Sequence, residues 1–211
     1  MNIYLPMKDD LLDKGEGTVW TGNGWKEPEI VKFDGIRCAK FDGNSRLQLK
    51  DTTSIKSLKE WTMQAWIYCI GFGSYGNSSY VFTTYTLGSV WNDSYFNVSL
   101  VRPSTVYLQQ STDSTHSFTN TWHHVKVTTN GSNLVLYLDN QKLIEINSYN
   151  INLASPAITI GDEAGTYKWG TGFYGYMTQF KFSDKYNDVR LPKDNSKFIY
   201  MNKNNEAWAM V

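Results

Sequence analysis

One imbalance narrows the folds open to this chain more than any other feature. Of 211 residues, 19 are Thr, 18 are Ser and 18 are Asn, against only 7 Ala. Ala is the best helix former, whereas Ser, Thr and Asn draw the backbone into strands, turns and caps. The balance predicts an all-β chain with many loops. Helical character is confined to Ile55-Lys56-Ser57-Leu58 and the region near Lys185-Tyr186-Asn187-Asp188. Apolar residues at 41% and aromatics at 15% supply a core for one medium-sized domain without help from metals or disulfides.

Short alternating segments recur between turn signals, at the spacing of a β-sandwich. Ile36 to Phe41, the turn Asp42-Gly43-Asn44 and Arg46 to Leu49 read as a hairpin. Trp61 to Ile70 is apolar on nearly both faces and reads as a central, covered strand. Val106 to Leu108 is a further strand. Trp122 to Thr129 and Leu134 to Leu138 flank Asn130-Gly131-Ser132-Asn133, and Asn-Gly between alternating hydrophobics is a strong hairpin signal. Ile158 to Gly161 and Tyr174 to Phe182 close the series. Two stretches, 71–80 and 161–172, mix Gly, Ser and Asn with Tyr and Trp and read as long functional loops.

Twenty Lys+Arg balance twenty Asp+Glu, which argues against a nucleic-acid partner. No run of 18 apolar residues occurs, and the first ten residues lack a basic stretch followed by an apolar one. The expectation is a chain that neither spans a membrane nor carries a signal peptide. Cys38 and Cys69 are read as two buried thiols, with a single bridge as the alternative. Four Asn-x-Ser triplets, at Asn77, Asn92, Asn97 and Asn130, are read as by-products of an Asn- and Ser-rich chain.

The ordered segments Phe41-Asp42-Gly43, Trp61 to Ile67, Trp122-His123-His124-Val125, Leu136 to Asn140, Ile160-Gly161 and Phe173 to Met177 together resemble the concanavalin A-like lectin/glucanase superfamily. The likeness is to its laminin G-like, pentraxin-like branch. This resemblance implies an all-β, two-sheet antiparallel jelly-roll sandwich over residues 1–183. It places Trp122, Trp66 and the Leu136-Tyr137-Leu138 strand in the core. Asp139-Asn140 stands where the family usually has Asp-Gly. Gly175 matches the family's end strand, but Thr178 replaces its acidic residue, which weighs against calcium. The ending Phe180 to Pro192 looks like laminin G-like domains of bacteriophage structural proteins. Residues 184–211 are read as a C-terminal segment that packs on the domain or docks to a partner.

Glucanases of this superfamily carry a Glu-x-Asp-x-Glu strand, which sets nucleophile and acid on one face. The sequence lacks it, and Glu27 and Glu29 flank Pro28 in a loop-like stretch. No enzyme activity is expected. Adjacent strand residues face opposite ways, so His123 and His124 cannot chelate one metal together. Calcium would be held by loop oxygens, and Asp42, Asp162 and Glu163 are its candidate ligands, with turn formation as the plainer role. Carbohydrate recognition needs ring faces beside polar groups. Tyr75, Tyr80, Tyr85, Trp91, Tyr167 and Trp169 are the aromatic candidates, and Asn77, Asn92 and Asp93 the polar ones. Tyr80, Tyr85 and Trp91 read equally well as strand residues packed in the sandwich.

These readings converge on a non-catalytic recognition module on a virion or extracellular surface. Its expected partner is a glycan or host-surface polysaccharide, and an oligomeric assembly with other virion proteins is part of the reading. A structural capsid or tail accessory whose tail, 205–211, mediates assembly is the alternative. A divergent polysaccharide-degrading enzyme is the third reading.

Overall fold

The computed structural model describes residues 1–55, 57–71, 79–83, 88–91, 95–99, 107–111, 120–147, 158–162, 172–188, 199–201 and 207–209. Its strands are β1 (Asn2–Leu5), β2 (Trp20–Thr21), β3 (Glu29–Phe33), β4 (Ile36–Asp42), β5 (Leu47–Leu49), β6 (Trp61–Gly71), β7 (Ser79–Thr83), β8 (Gly88–Trp91) and β9 (Tyr95–Ser99). They continue as β10 (Tyr107–Ser111), β11 (Trp122–Thr129), β12 (Leu134–Leu138), β13 (Gln141–Ile146), β14 (Thr159–Ile160), β15 (Tyr174–Ser183), β16 (Ile199–Met201) and β17 (Ala207–Ala209). One short 3-10 turn, Thr53–Ile55, is the helix among the described residues. The stretch 185–188 is a turn instead, with Asn187 at a positive φ of 52° that a helix does not allow.

Two antiparallel sheets form a jelly-roll sandwich. The larger runs β13-β12-β11-β6-β15-β4-β3, with β1 also paired to β15, and the smaller runs β10-β9-β8-β7-β14-β5-β2. Strands β16 and β17 pair with each other in a separate two-stranded sheet, so part of the 205–211 tail is strand. Strand β6 lies near the middle of the larger sheet, as its double-sided apolar pattern predicts. Strands β11 and β12 form the expected hairpin, with Gly131 at φ 87° in the connecting loop.

Alternation along β6 sends Trp61, Met63, Ala65, Ile67 and Cys69 into the core between the sheets, where Val125, Val127, Leu136, Leu138 and Met177 join them. The smaller sheet contributes Trp20, Leu47, Leu49, Val81, Phe82 and Ile160. Phe180 links the two layers, edge-on to Trp20 at 5.7 Å and to Phe82 at 6.1 Å. Such edge-to-face pairs contribute about 0.5–1.5 kcal/mol each beyond their buried area.

Two expectations fail here. Strands β4 and β5 are not a hairpin, because β4 belongs to the larger sheet and β5 to the smaller. The Asx turn, in which the Asp42 carboxylate accepts the Asn44 amide at 3.0 Å, hands the chain across the core edge so that Phe41 and Leu47 both point inward. Trp66, Trp122 and Tyr137 are likewise not in the inter-sheet core. Registers Trp122 to Tyr68, His124 to Trp66 and Lys126 to Tyr137 place them on the opposite, outer face of the sheet. Leu136 and Leu138 of the same strand are in the core as expected.

Cys38 and Cys69 are both buried and unbridged. Cys69 faces the core, whereas Cys38 lies opposite Thr178 in parity, outside the core cluster. Strand β15 separates their strands, and two strand spacings of about 4.8 Å exceed what a disulfide spans. Gly175 is fixed by close approach, since a Cβ there would lie 2.1 Å from the Tyr68 carbonyl oxygen. Thr178, at the family's acidic position, turns its hydroxyl to the Pro6 carbonyl at 2.9 Å and so holds the chain end of β1.

Candidate functional site

The outer face of the larger sheet divides into two halves. On one half, the segment after β15 crosses back over the strands. Asn187 and Asp188 donate their amides to the Thr128 and Thr62 hydroxyls at 2.7 and 3.1 Å. Thr62 in turn donates to the Lys185 carbonyl at 2.6 Å, and Lys126 donates to the Asn187 side chain at 2.7 Å. A largely buried ion pair, Lys181 to Asp188 at 2.6 Å, anchors the strap. Polar Thr and Lys on central strands are thus explained by what covers them.

The other half carries aromatic residues and an open cleft. Pairing aligns Trp122, Tyr68 and Tyr176 across β11, β6 and β15. Asp34 and Gly35, at φ 51° and 76°, make the two-residue turn joining β3 to β4, an Asp-Gly pair suited to that left-handed geometry. The tip of this hairpin lies over the row: Phe33 stacks on Tyr176 at 3.8 Å and meets Tyr68 at 4.7 Å and Trp122 at 6.4 Å. A cleft of about 480 Å³ opens beside it, lined by Phe33, Asp34, Tyr68, Asn120, Thr121 and Trp122. Its size is within the range of small-ligand sites, about 300–1,000 Å³.

The cleft's polar rim is Asp34, Asn120 and Thr121, all exposed. Trp122 is 9% exposed, and its buried indole Nε1–H has no hydrogen-bond partner among the described residues. A buried donor without an acceptor costs about 1–3 kcal/mol. Nearby, His124 is fully buried against Trp66 and bonded to Gln64 at 3.0 Å, while His123 pairs with Asp139 at 2.6 Å. The two imidazole rings therefore have separate partners, although Asp139 also accepts the His124 backbone amide at 2.8 Å.

Most sequence-derived candidates fall elsewhere. Tyr75, Asn77, Tyr85, Asn92, Asp93, Glu163, Tyr167 and Trp169 lie outside the described residues. Tyr80 and Trp91 are on β7 and β8 of the smaller sheet, paired as Tyr80 to Val90 and Ser79 to Trp91. Asp42 and Asp162 belong to neighbouring turns, tied by Gly43 N to Phe173 O at 3.0 Å and Phe173 N to Gly161 O at 2.8 Å. Asp42 holds the Lys26 ammonium at 2.9 Å. Burial works to raise its carboxyl pKa, but the Lys26 ion pair and the Asn44 amide outweigh it and hold the value below the ordinary one. Asp162 is buried. Among the described residues no group of three His, Cys, Asp or Glu gathers that could hold a metal ion. Glu29 pairs with Lys26 at 3.2 Å and Glu27 accepts the Gly22 amide at 3.1 Å, so the two carboxylates have separate local partners.

Sequence reasoning did not find the cleft. Its rings come from positions 33, 68 and 122, and only the strand register and the hairpin tip bring them together. The available signals were aromatic residues at alternate positions of β6, Trp66 and Tyr68, and the Asp34-Gly35 pair.

A family model described as concanavalin A-like lectin/glucanases superfamily matches residues 41–188. No curated protein matches the sequence. Among solved structures, the binding domain of botulinum neurotoxin serotype D/C is similar at 14% identity and a TM-score of 0.68, over 88% of this chain and 49% of that one. The binding domain of Paraclostridial mosquitocidal protein 1 gives 14% identity, a TM-score of 0.67 and the same coverages. A botulinum neurotoxin type C structure, described by its dependence on two ganglioside molecules for cell entry, gives 14% and 0.64, over 88% and 48%. The chain thus spans about half the length of these structures, and at such identities the likeness is one of fold.

Proposed function

From a chain that belongs to the concanavalin A-like lectin/glucanases superfamily, we propose a non-catalytic recognition module that binds glycan on an extracellular or virion surface. The observation that carries this reading is the outer-face cleft, where Phe33, Tyr68 and Trp122 offer ring surface beside the polar Asp34, Asn120 and Thr121. Sugars present an apolar C–H face and a fringe of hydroxyls, and that combination of walls suits them. Structural neighbours that are binding domains of neurotoxins, one of them in complex with SialylT, point the same way. Tyr75, Asn77, Asn92, Asp93, Tyr167 and Trp169, with Trp91 of β8, are the second set of candidate ligand-binding residues, and Asp42, Asp162 and Glu163 remain the calcium candidates.

A glycan array with the whole chain, with and without calcium, tests the reading. Binding that Tyr68→Ala abolishes and Trp169→Ala preserves assigns the ligand to the cleft. The opposite pattern moves it to the second set, and calcium dependence brings in the acidic candidates. An array blank under every condition favours the assembly reading, in which the 205–211 tail engages other copies or virion proteins.

A further inference from the structure

We infer that the cleft takes neutral sugars and rejects acidic ones, with Asp34 as the residue that sets this class. The inference rests on the glycan reading above. Three of the six lining residues, Phe33, Tyr68 and Trp122, are aromatic, and Asn120 and Thr121 are polar and uncharged. Asp34 supplies the sole formal charge among them.

Nothing described neutralises that charge locally. Among the described residues no cation pairs with Asp34. Of the basic residues of the same hairpin, Lys32 and Arg37 are cross-strand partners one step from Phe33 and Ile36 and project from the opposite face, while Lys40 shares the face of Phe33 but stands at the far end of β4 from the turn, in register with Glu29 and Tyr176. Arg37 is held there by the Lys8 carbonyl at 2.9 Å and by Asp9 at 3.2 Å. A carboxylate of a sialic or uronic acid entering the cleft would meet a like charge on its rim with no cation beside it, and like-charge juxtaposition disfavours such a ligand.

A neutral sugar meets the reverse situation. An ionised carboxylate is an acceptor-only group with two oxygens, and adjacent sugar hydroxyls can donate to both while the C–H face lies on a ring.

The test measures binding of the whole chain, by titration calorimetry, to lactose, N-acetyllactosamine, maltotriose and chitotriose, and to sialyllactose and digalacturonate. Asp34→Asn is the diagnostic variant, because Asn is at home in an Asp-Gly type of turn and keeps the fold. At least one neutral sugar is expected to bind, with no acidic sugar binding more tightly. Asp34→Asn should weaken the neutral sugar by about tenfold, the worth of one charged hydrogen bond, and narrow its margin over the acidic ones. Equal binding of neutral and acidic sugars, or no change in Asp34→Asn while Tyr68→Ala abolishes binding, overturns the assignment of Asp34 and leaves the glycan reading standing. Absence of binding to every sugar overturns both.

Discussion

The two faces of the larger sheet are made by the same strands and do different jobs. Inward, β6 presents Trp61, Met63, Ala65, Ile67 and Cys69 to a continuous apolar core. Outward, the same strand presents Thr62, Gln64, Trp66 and Tyr68, which meet a polar strap at one end and an aromatic cleft at the other. The inner face is non-directional and tolerates little loss of volume. The outer face works through individual hydrogen bonds and ring contacts, so its residues can be exchanged one at a time. A strand buried on both sides therefore need not be core on both sides.

The largest effect should come from the inner face. Phe180→Ala removes the ring that touches both Trp20 and Phe82 and should cost about 3–5 kcal/mol in chemical denaturation. A loss no greater than that of an outer-face substitution would erase the distinction. Next is the anchor of the strap. Asp188→Ala leaves the Lys181 ammonium largely buried without its partner and should cost about 3 kcal/mol. Replacing both residues with apolar ones should recover much of that loss, as buried pairs give little net stability. Below these comes Thr62→Val, which deletes the hydroxyl that bonds both the Lys185 carbonyl and the Asp188 amide. A cost of about 1–2 kcal/mol is expected, with Phe180 contacts and the cleft unchanged.

The smallest effect concerns Cys38. Burial pushes its thiol up from 9.0 to about 11, offset slightly by a backbone hydrogen bond from Phe33. The neutral thiol is the favoured form in the fold, so this contribution is complete below pH 9 and is lost as the pH rises toward 11. Below pH 9 a thiol reagent should label native protein far more slowly than unfolded protein. Rapid native labelling would place Cys38 on an open surface and weaken the account of a covered outer face.

How much of this was visible beforehand depends on whether one segment or several were needed. Strand β6 and the β11–β12 hairpin are legible because each is decided within about 17 residues, by alternation and by Asn130-Gly131. The Asp42-Gly43-Asn44 turn was legible as a turn but not as a crossing between sheets, since an Asx turn serves both. Trp66 and Trp122 share hydrophobicity with core residues, and only register shows that they face outward. The strap over Thr62 and Thr128 was hidden for the same reason: a hydroxyl on a central strand has no sequence-level sign of the amide it will receive. The cleft assembles residues from three separate stretches, around Phe33, Tyr68 and Trp122, so no local pattern encodes it.

The wall formed by Phe33 and Asp34 is the end of a hairpin whose turn is only two residues long and which contributes nothing at its tip to the inter-sheet core. Such a fingertip can be lengthened, shortened or swapped while the sandwich beneath keeps its packing. Selectivity and folding are in this way written in separable parts of the chain, and a lineage of such proteins could diversify what it grips without renegotiating how it folds.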